Sequence, residues 1–544
     1  MSLSASCPVL SCAEAGAWEK KLLRDETAEW DAMQRAGAAI AAAILDDFLE
    51  IGGLPVGARL LVLTGKGHNG GDALLATAAV LEKFPGATVD LLFVFGEEPL
   101  KPLAKLSLEV LRKTAGLRLR VVTPAQLKTE LASYDVCLDG TFGFQFHPPL
   151  DDATAELLAW VNTHPRIRLR AAVDLPSGVG EANAGTIFRA DFTYATGIVK
   201  SPLLVEGNAP FVGRVRYLDL GFFGTAHPEG SPYQVGRGVP AAPSSPDRVL
   251  EASILTPLAR LRSPQSDKRT YGHLIVVGGS RSYPGAVLMT VQAALRSGVG
   301  LLTAFVPTSL APTYATHFPE AMWVGLPETS DGGLALAGLD LVKEKLSRAN
   351  VLAIGPGLGA EAETIQLVCG IVGAAAGPGL LDADALRPEV LAAAKGKRFV
   401  CTPHAGEFQR MAGAGVLREF AGQHGAVVVL KGPVTRVCGS AVLQLASDPD
   451  ARGPKHRATP ECVYHSLFGG PVLARGGSGD VLAGLIGGLL AQEPDDLLLA
   501  AARGVVWHGL AADLLARDKG QVAVQTTQLF DYLQPALRFA KNAP

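Results

Sequence analysis

Apolar residues fall into short blocks along this chain, and between the blocks they recur at three- and four-residue spacing among polar positions. The first blocks are "RLLVLTG" (59–65), "VDLLFVFG" (89–96), "LRLRVVT" (117–123), "DVCLDG" (135–140), "RAAVDLPSG" (170–178), "FTYATG" (192–197) and "VRYLDLG" (215–221). Blocks of this length, closed by Gly, Asp or Thr, predict buried strands, and the amphipathic stretches between them predict covering helices. Their alternation predicts a parallel sheet with helices on both faces. Ahead of the first block, residues 19–49 keep helical spacing without a breaker, which predicts one or two leading helices.

The patterning lapses over "AHPEGSPYQVGRGVPAAPSSPDR" (226–248), where Pro, Gly and Ser accumulate. It restarts with "HLIVVGGS" (273–280), "LLTAFVP" (301–307), "VLAIGPGLG" (351–359), "GLLDADAL" (379–386), "RFVCTPH" (398–404) and "VVVLKGP" (427–433). The expected organisation is an α/β domain over 1–225, a linker over 226–249 and a second α/β domain over 250–544. No fixed-period repeat or low-complexity tract is visible in either half.

Composition narrows the choice of partner. Apolar residues make up 48% and charged residues 19%, as in a folded globular chain, and the formal net charge of -3 offers no broad field for nucleic acid or an anionic membrane. Any phosphate site must be local. No basic leader precedes an apolar core at the N-terminus, and no apolar run reaches membrane-spanning length; "VLAGLIGGLLA" stops at eleven residues. The seven cysteines include no CxxC pair, so neither a disulfide framework nor a zinc cluster is expected. These features predict a cytoplasmic protein acting on small molecules, with no nucleic-acid or membrane partner, and parallel α/β domains of this kind predict a homo-oligomer.

In the first half, "GKGHNGGDALLATAAV" runs from a predicted strand into a predicted helix, and Gly65, Gly67 and Gly70 satisfy a GxGxxG spacing. Asp90 lies where a ribose-binding acid would be sought, yet it opens a strand instead of ending one. Asp139 and Asp174 each close a strand ahead of a glycine-bearing turn, on the edge where parallel sheets bind ligands. A carboxylate beside backbone carbonyls and a serine hydroxyl suits a hard cation, and a turn or cap role fits either Asp equally well.

The stretches "AMQRAGAAIA", "GHNGGDALLA", "DGTFG" and "VDLPSG" resemble the epimerase domain of NAD(P)H-hydrate repair enzymes over residues 8–221. The resemblance implies a Rossmann-like crevice holding the hydrated nicotinamide beside a potassium ion. It puts Asn69, Asp139 and Ser177 on the ion. It puts His68, Asn69, Gly70, Gly71, Asp72, Gly143 and Asp174 against the substrate, with Asp174 transferring the proton. The chain departs from the family pattern at His68, Ala73, Phe144 and Gln145, which leaves open a binding or assembly module without catalysis.

The second half carries "GGSGDVLAG" (476–484), one carboxylate among glycines at the start of an apolar helix. Backbone N–H groups of Gly476, Gly477 and Gly479 at a helix N-terminus make an anion hole. Asp480 would repel a phosphate there unless it faces a substrate hydroxyl and takes its proton during phosphoryl transfer. "GPGLG", "DADAL", "TPHAGE" and "LKGPVT" each follow a strand and so fall on the same edge, and Lys431 brings a cation to it. No GxxxxGK[ST] occurs.

With "HLIVVGGSRSYPGAVLMTVQAALRSGVGLLTAFVP", these motifs resemble the ribokinase-like dehydratase domain of the same repair enzymes over nearly all of 250–544. Ser478 stands where threonine is usual and keeps the hydroxyl. The resemblance implies that Ala286, Gly357, His404 and Asp480 contact the hydrated dinucleotide. It assigns Lys431, Gly432, Pro433, Val434, Thr435 and Gly479 to the adenine nucleotide, ADP with magnesium. It makes the chain a bifunctional enzyme for NADHX and NADPHX. A vitamin or sugar kinase, whose Gly-Asp turn serves the same chemistry, stays as the alternative.

Overall fold

The computed structural model describes residues 3–130, 132–144, 146, 149–183, 185–223, 242–413, 415–439 and 462–542. Among the described residues the chain forms two compact units: a larger one drawn from Met1–Ser6, Pro246–Leu515 and Val522–Ala543, and a smaller one drawn from Cys7–Ser245 and Ala516–Gln521. The linker expected over 226–249 lies outside the described residues as far as 241, and the chain is in a strand at Asp247–Leu250.

The smaller unit is built on a wholly parallel sheet, ordered Leu119–Val121, Thr88–Phe93, Arg59–Thr64, Tyr134–Gly140, Ile167–Val173, Phe192–Thr196 and Arg214–Leu218. Alternate residues of one strand explain its unbroken apolar run: Leu60 and Val62 enter one core, Leu61 and Leu63 the other. Both faces are covered, so neither can be polar. Successive strands wind outward one way from Arg59–Thr64 and then the other way from Tyr134–Gly140. Thr64 lies level with Gly140 at that switch point, where such sheets open a ligand crevice. The leading region forms two helices, Cys12–Leu22 and Glu26–Phe48, and Asp25 starts the second by accepting from the Ala28 N–H.

The larger unit orders its strands Met322–Leu326, Leu301–Pro307, His273–Val277, Val351–Ile354, Gly379–Leu381, Phe399–Cys401, Val427–Leu430, Thr435–Gly439, Val463–Ser466 and Asp247–Leu250. All pairings are parallel except those of Thr435–Gly439 with its two neighbours. Leu274 and Val276 face one core, Ile275 and Val277 the other. Helices Pro284–Arg296 and Ser478–Gln492 meet closely because Gly484 has no side chain; a Cβ there would lie 2.2 Å from the Thr290 carbonyl oxygen. Thr290 in turn donates its hydroxyl to the Asp480 carbonyl at 3.2 Å, fixing the start of the helix that carries the acid.

Each sheet buries a thiol in mid-strand or at a strand end: Cys137 in the smaller unit and Cys401 in the larger. Burial raises both well above the ordinary thiol range, Cys401 to about 12. One described helix, Leu497–Lys519, is long and apolar enough to cross a membrane by length and composition, and 89% of its most apolar window is buried in the protein. The sequence pattern hid that length because Arg503 and Asp513 interrupt the run.

Candidate active sites

In the smaller unit the helix His68–Lys83 starts directly after the central strand, with Gly67 as its N-cap. Two glycines let the turns approach: a Cβ on Gly65 would sit 1.9 Å from the Thr141 carbonyl oxygen, and one on Gly140 would sit 2.6 Å from the Ala73 Cβ. Ala73 therefore fits here because position 140 has no side chain. Asn69 donates its amide to the Phe142 carbonyl at 2.6 Å and borders Gly143. Asp139 is fully buried; its carboxylate accepts from the Ser177 N–H and hydroxyl, both at 2.8 Å, and from the Thr141 N–H at 3.1 Å. The Phe142 N–H donates to the Ser177 hydroxyl oxygen, so Asn69, Asp139 and Ser177 meet around one turn. Burial pushes the Asp139 carboxyl upward despite these donors.

Asp174 occupies a left-handed backbone position, φ 65°, which a non-glycine residue adopts only where its surroundings hold it there. Its carboxylate accepts from Lys200 Nζ at 2.5 Å and from the Thr196 hydroxyl at 3.3 Å. Lys200 is completely buried, with the Glu19 carboxylate at 4.0 Å and the Phe144 ring centroid at 5.2 Å from its ammonium. Phe144 also packs against Gly16, where an added Cβ would be 3.1 Å from the ring. Asp72 is buried beside this group, and Glu19 is pushed up to about 7, first by burial and then by neighbouring carboxylates. His68 is half-exposed, with Nε2 3.6 Å from Glu29, and burial lowers its proton affinity. Gly70 and Gly71 lie buried in the first helical turn; Gln145 is outside the described residues. Asp90 binds Arg59, Arg120 and the Tyr134 hydroxyl, a structural ion cluster.

In the larger unit Gly477 caps the helix Ser478–Gln492 at φ +85°, and Asp480 stands in its first turn. Lys431 comes from the opposite side of the turn: a Cβ on Gly479 would lie 3.3 Å from its ammonium. Nζ donates to Asp382 at 3.1 Å and lies 4.0 Å from Glu407. Asp382 also accepts from the Thr402 hydroxyl at 2.6 Å. Burial pushes Asp480 up to about 7, the carboxylates of Asp382 and Asp384 add to this, and Lys431 opposes it. Beneath the turn, the buried His508 places Nε2 3.4 Å from the Ser478 hydroxyl, and burial drives it down to about 4, so it stays a neutral imidazole.

The remaining predicted residues surround this centre. His404 caps the helix Ala405–Ala412, its Nδ1 accepting from Gly406 and Glu407 N–H groups while the Glu407 carboxylate accepts from the His404 N–H. Nδ1 is thus an acceptor, and the imidazole hydrogen sits on Nε2. Ala286 and Gly357 are neighbours: a Cβ on Gly357 would be 3.0 Å from the Ala286 methyl. The Gly359 N–H donates to Asp384, tying "GPGLG" to "DADAL". Gly432, Pro433 and Val434 form the turn between Lys431 and the strand that opens at Thr435. Lys200, Glu19, Asp382, Glu407 and His508 were not among the predicted site residues.

The chain matches a family described as NAD(P)H-hydrate dehydratase over residues 274–446 and 457–535, and one described as YjeF-related protein N-terminus over 30–201. It is similar to the bifunctional NAD(P)H-hydrate repair enzyme Nnr of Moorella thermoacetica, 32% identical with 93% of this chain and 92% of that protein covered. The Gloeobacter violaceus Nnr is 34% identical, with 99% of each covered. The Escherichia coli Nnr is 32% identical over 87% of this chain and 84% of its own. Among solved structures, the ADP/ATP-dependent NAD(P)H-hydrate dehydratase of Bacillus subtilis, co-crystallised with ATP and Mg2+, is 27% identical, covers 53% of this chain and 96% of its own, and has a TM-score of 0.42. Similarity at this identity over nearly the whole of both chains means that this chain belongs to the bifunctional NAD(P)H-hydrate repair enzyme family.

Proposed function

We propose that this chain repairs hydrated NAD(P)H in two steps: the smaller unit interconverts the R and S epimers, and the larger unit dehydrates the S epimer with ADP, giving AMP and phosphate. The observation that carries the reading is the turn from Gly476 to Asp480. There a helix N-terminus, a lysine ammonium and a carboxyl that titrates near neutrality converge. Hydroxide is a poor leaving group, so the ring hydroxyl has to be activated before it can depart.

Asp480 takes the hydroxyl proton as that oxygen attacks the terminal phosphorus. The glycine amides and Lys431 hold the phosphoryl charge. Electron push from the ring nitrogen then expels phosphate, and loss of a proton from the adjacent carbon restores the dihydropyridine. Gly432 to Thr435 flank the nucleotide, and Ala286, Gly357 and His404 border the dinucleotide. Among the described residues no three acidic, His or Cys side chains are grouped to hold a metal. Magnesium, which keeps its own waters and favours phosphate oxygens, would accompany the nucleotide and neutralise its charge.

In the smaller unit, Asn69 to Asp72 and Gly143 border the nicotinamide ring, and Asp174 is the proton-transfer residue of the inversion. Asp139 is a buried carboxyl whose hydrogen-bond donors among the described residues are all neutral, and with Asn69 and Ser177 it offers an all-oxygen set. That chemistry suits potassium, which would supply the missing positive charge.

The test mixes purified protein with S-NADHX and magnesium, adding ADP, ATP or neither, and follows NADH absorbance. Return of absorbance with ADP supports the reading; no return with either nucleotide from folded protein moves the kinase alternative to the front. The pH profile is a second test. Only ionised Asp480 accepts a proton, so kcat/KM is expected to rise with pH through about 7. Asp382→Asn removes a neighbouring negative charge that favours protonated Asp480, so its rising limb should move to lower pH.

A further inference from the structure

The crevice of the smaller unit gathers three carboxyls, the buried Asp72 and Asp174 and the partly exposed Glu19, around one ammonium, Lys200. Lys200 is committed to Asp174 at 2.5 Å and stands 4.0 Å from Glu19. Asp72 has neither: it is 9% exposed, and its Oδ1 is buried with no hydrogen-bond partner among the described residues. Isolated buried carboxylates are costly, and like charges sharing a site cannot all ionise. Burial raises Asp72 well above the usual carboxylate range, the Asp174 and Glu19 carboxyls add to the rise, and Lys200 opposes it without cancelling it. Glu29 faces Glu19 and adds further negative charge to the cluster.

We propose that Asp72 is the proton donor of the epimerisation, acting across the crevice from Asp174 as base. The proposal rests on the epimerase reading of this unit. Asp72 passes its proton to the ring hydroxyl; the C–O bond breaks as the ring-nitrogen lone pair forms a C=N bond, and water leaves. A second water adds to the same carbon from the other face, the C=N pair returns to nitrogen, and Asp174 takes the proton that this water sheds. One water leaves and one enters, and solvent returns the proton from Asp174 to Asp72. Asp72 comes from the helix His68–Lys83 and Asp174 from just past the end of the strand Ile167–Val173, so donor and acceptor belong to two separate elements.

The test measures R-to-S conversion by chromatography in water enriched in oxygen-18, with a no-enzyme control. Each inversion by the native protein is expected to place one solvent oxygen in the product hydroxyl, and the rate is expected to fall at alkaline pH as the donor loses its proton. Asp72→Asn should lower kcat in both directions by about 100-fold or more, with KM changed by no more than about threefold, and should lose the alkaline limb. Glu19→Gln should keep that limb. Inversion with the original oxygen retained, or Asp72→Asn at native kcat, overturns the proposal. The oxygen label and the alkaline limb are read on the native protein, so they decide the matter even if the variant does not fold. A native protein that shows no inversion at all overturns the epimerase reading itself.

Discussion

Asp480→Asn is expected to reduce the ADP-dependent return of NADH from its S hydrate by about 10³-fold or more in kcat, within the range for loss of a positioned general base. The amide is nearly isosteric with the acid, so the helix start and the Thr290 contact to the Asp480 carbonyl should persist. What is lost is the only described carboxyl in the first turn of that helix. In the proposed function its charge also sits beside the bound phosphate, so removing it relieves repulsion. Nucleotide affinity should therefore stay level or tighten while kcat collapses. Single-turnover absorbance and ADP titration separate the two effects, and weaker ADP binding with kcat intact would contradict the assigned role.

Gly355→Ala should be the most damaging small substitution in the larger unit. The residue sits at φ +134°, and its added Cβ would lie 1.8 Å from the Asp382 carbonyl oxygen. Neither the dihedral nor the contact can be met without moving backbone, so a loss of about 3 kcal/mol or more is expected. The same displacement pulls Asp382 away from Lys431, so activity should fall even in the fraction that stays folded. Gly373 is the matched control. It lies in the helix Ala362–Ala374, and an added Cβ there meets nothing within 4 Å. Gly373→Ala should be neutral or stabilise by about 0.5 kcal/mol. Denaturant midpoints compare the pair directly.

The sheets were readable because buried parallel strands must be apolar on both faces and must end in turns, so composition and punctuation coincide. The crevice edges followed from the strand ends. Other strands escaped the pattern: Met322–Leu326 exposes Met322, and Ser6–Leu10, though buried throughout, contains a proline. Lys431 was found because a cation directly followed "VVVL". Lys200 ends "FTYATGIVK", and the rule that picks out Lys431 picks it out as well. Asp382 shows in the sequence only as the first residue of "DADAL", and His508 gives no signal at all. Their significance lies in which side chains they meet across the sheet and beneath the glycine turn, and neither encounter follows from local sequence. The departure at Ala73 is explained only by its neighbour Gly140, a residue far away in the chain.

Two of the buried thiols, one in each sheet, give each half of the protein its own clock. Cys137 and Cys401 are sealed inside separate sheets and held as unreactive thiols, so an alkylating reagent can reach either one only when its own sheet opens. Mass spectrometry of the two labelled peptides over time would then report the opening rate of each half within a single molecule. Addition of ADP, which binds only the larger unit in the proposed function, would be expected to slow labelling of Cys401 selectively.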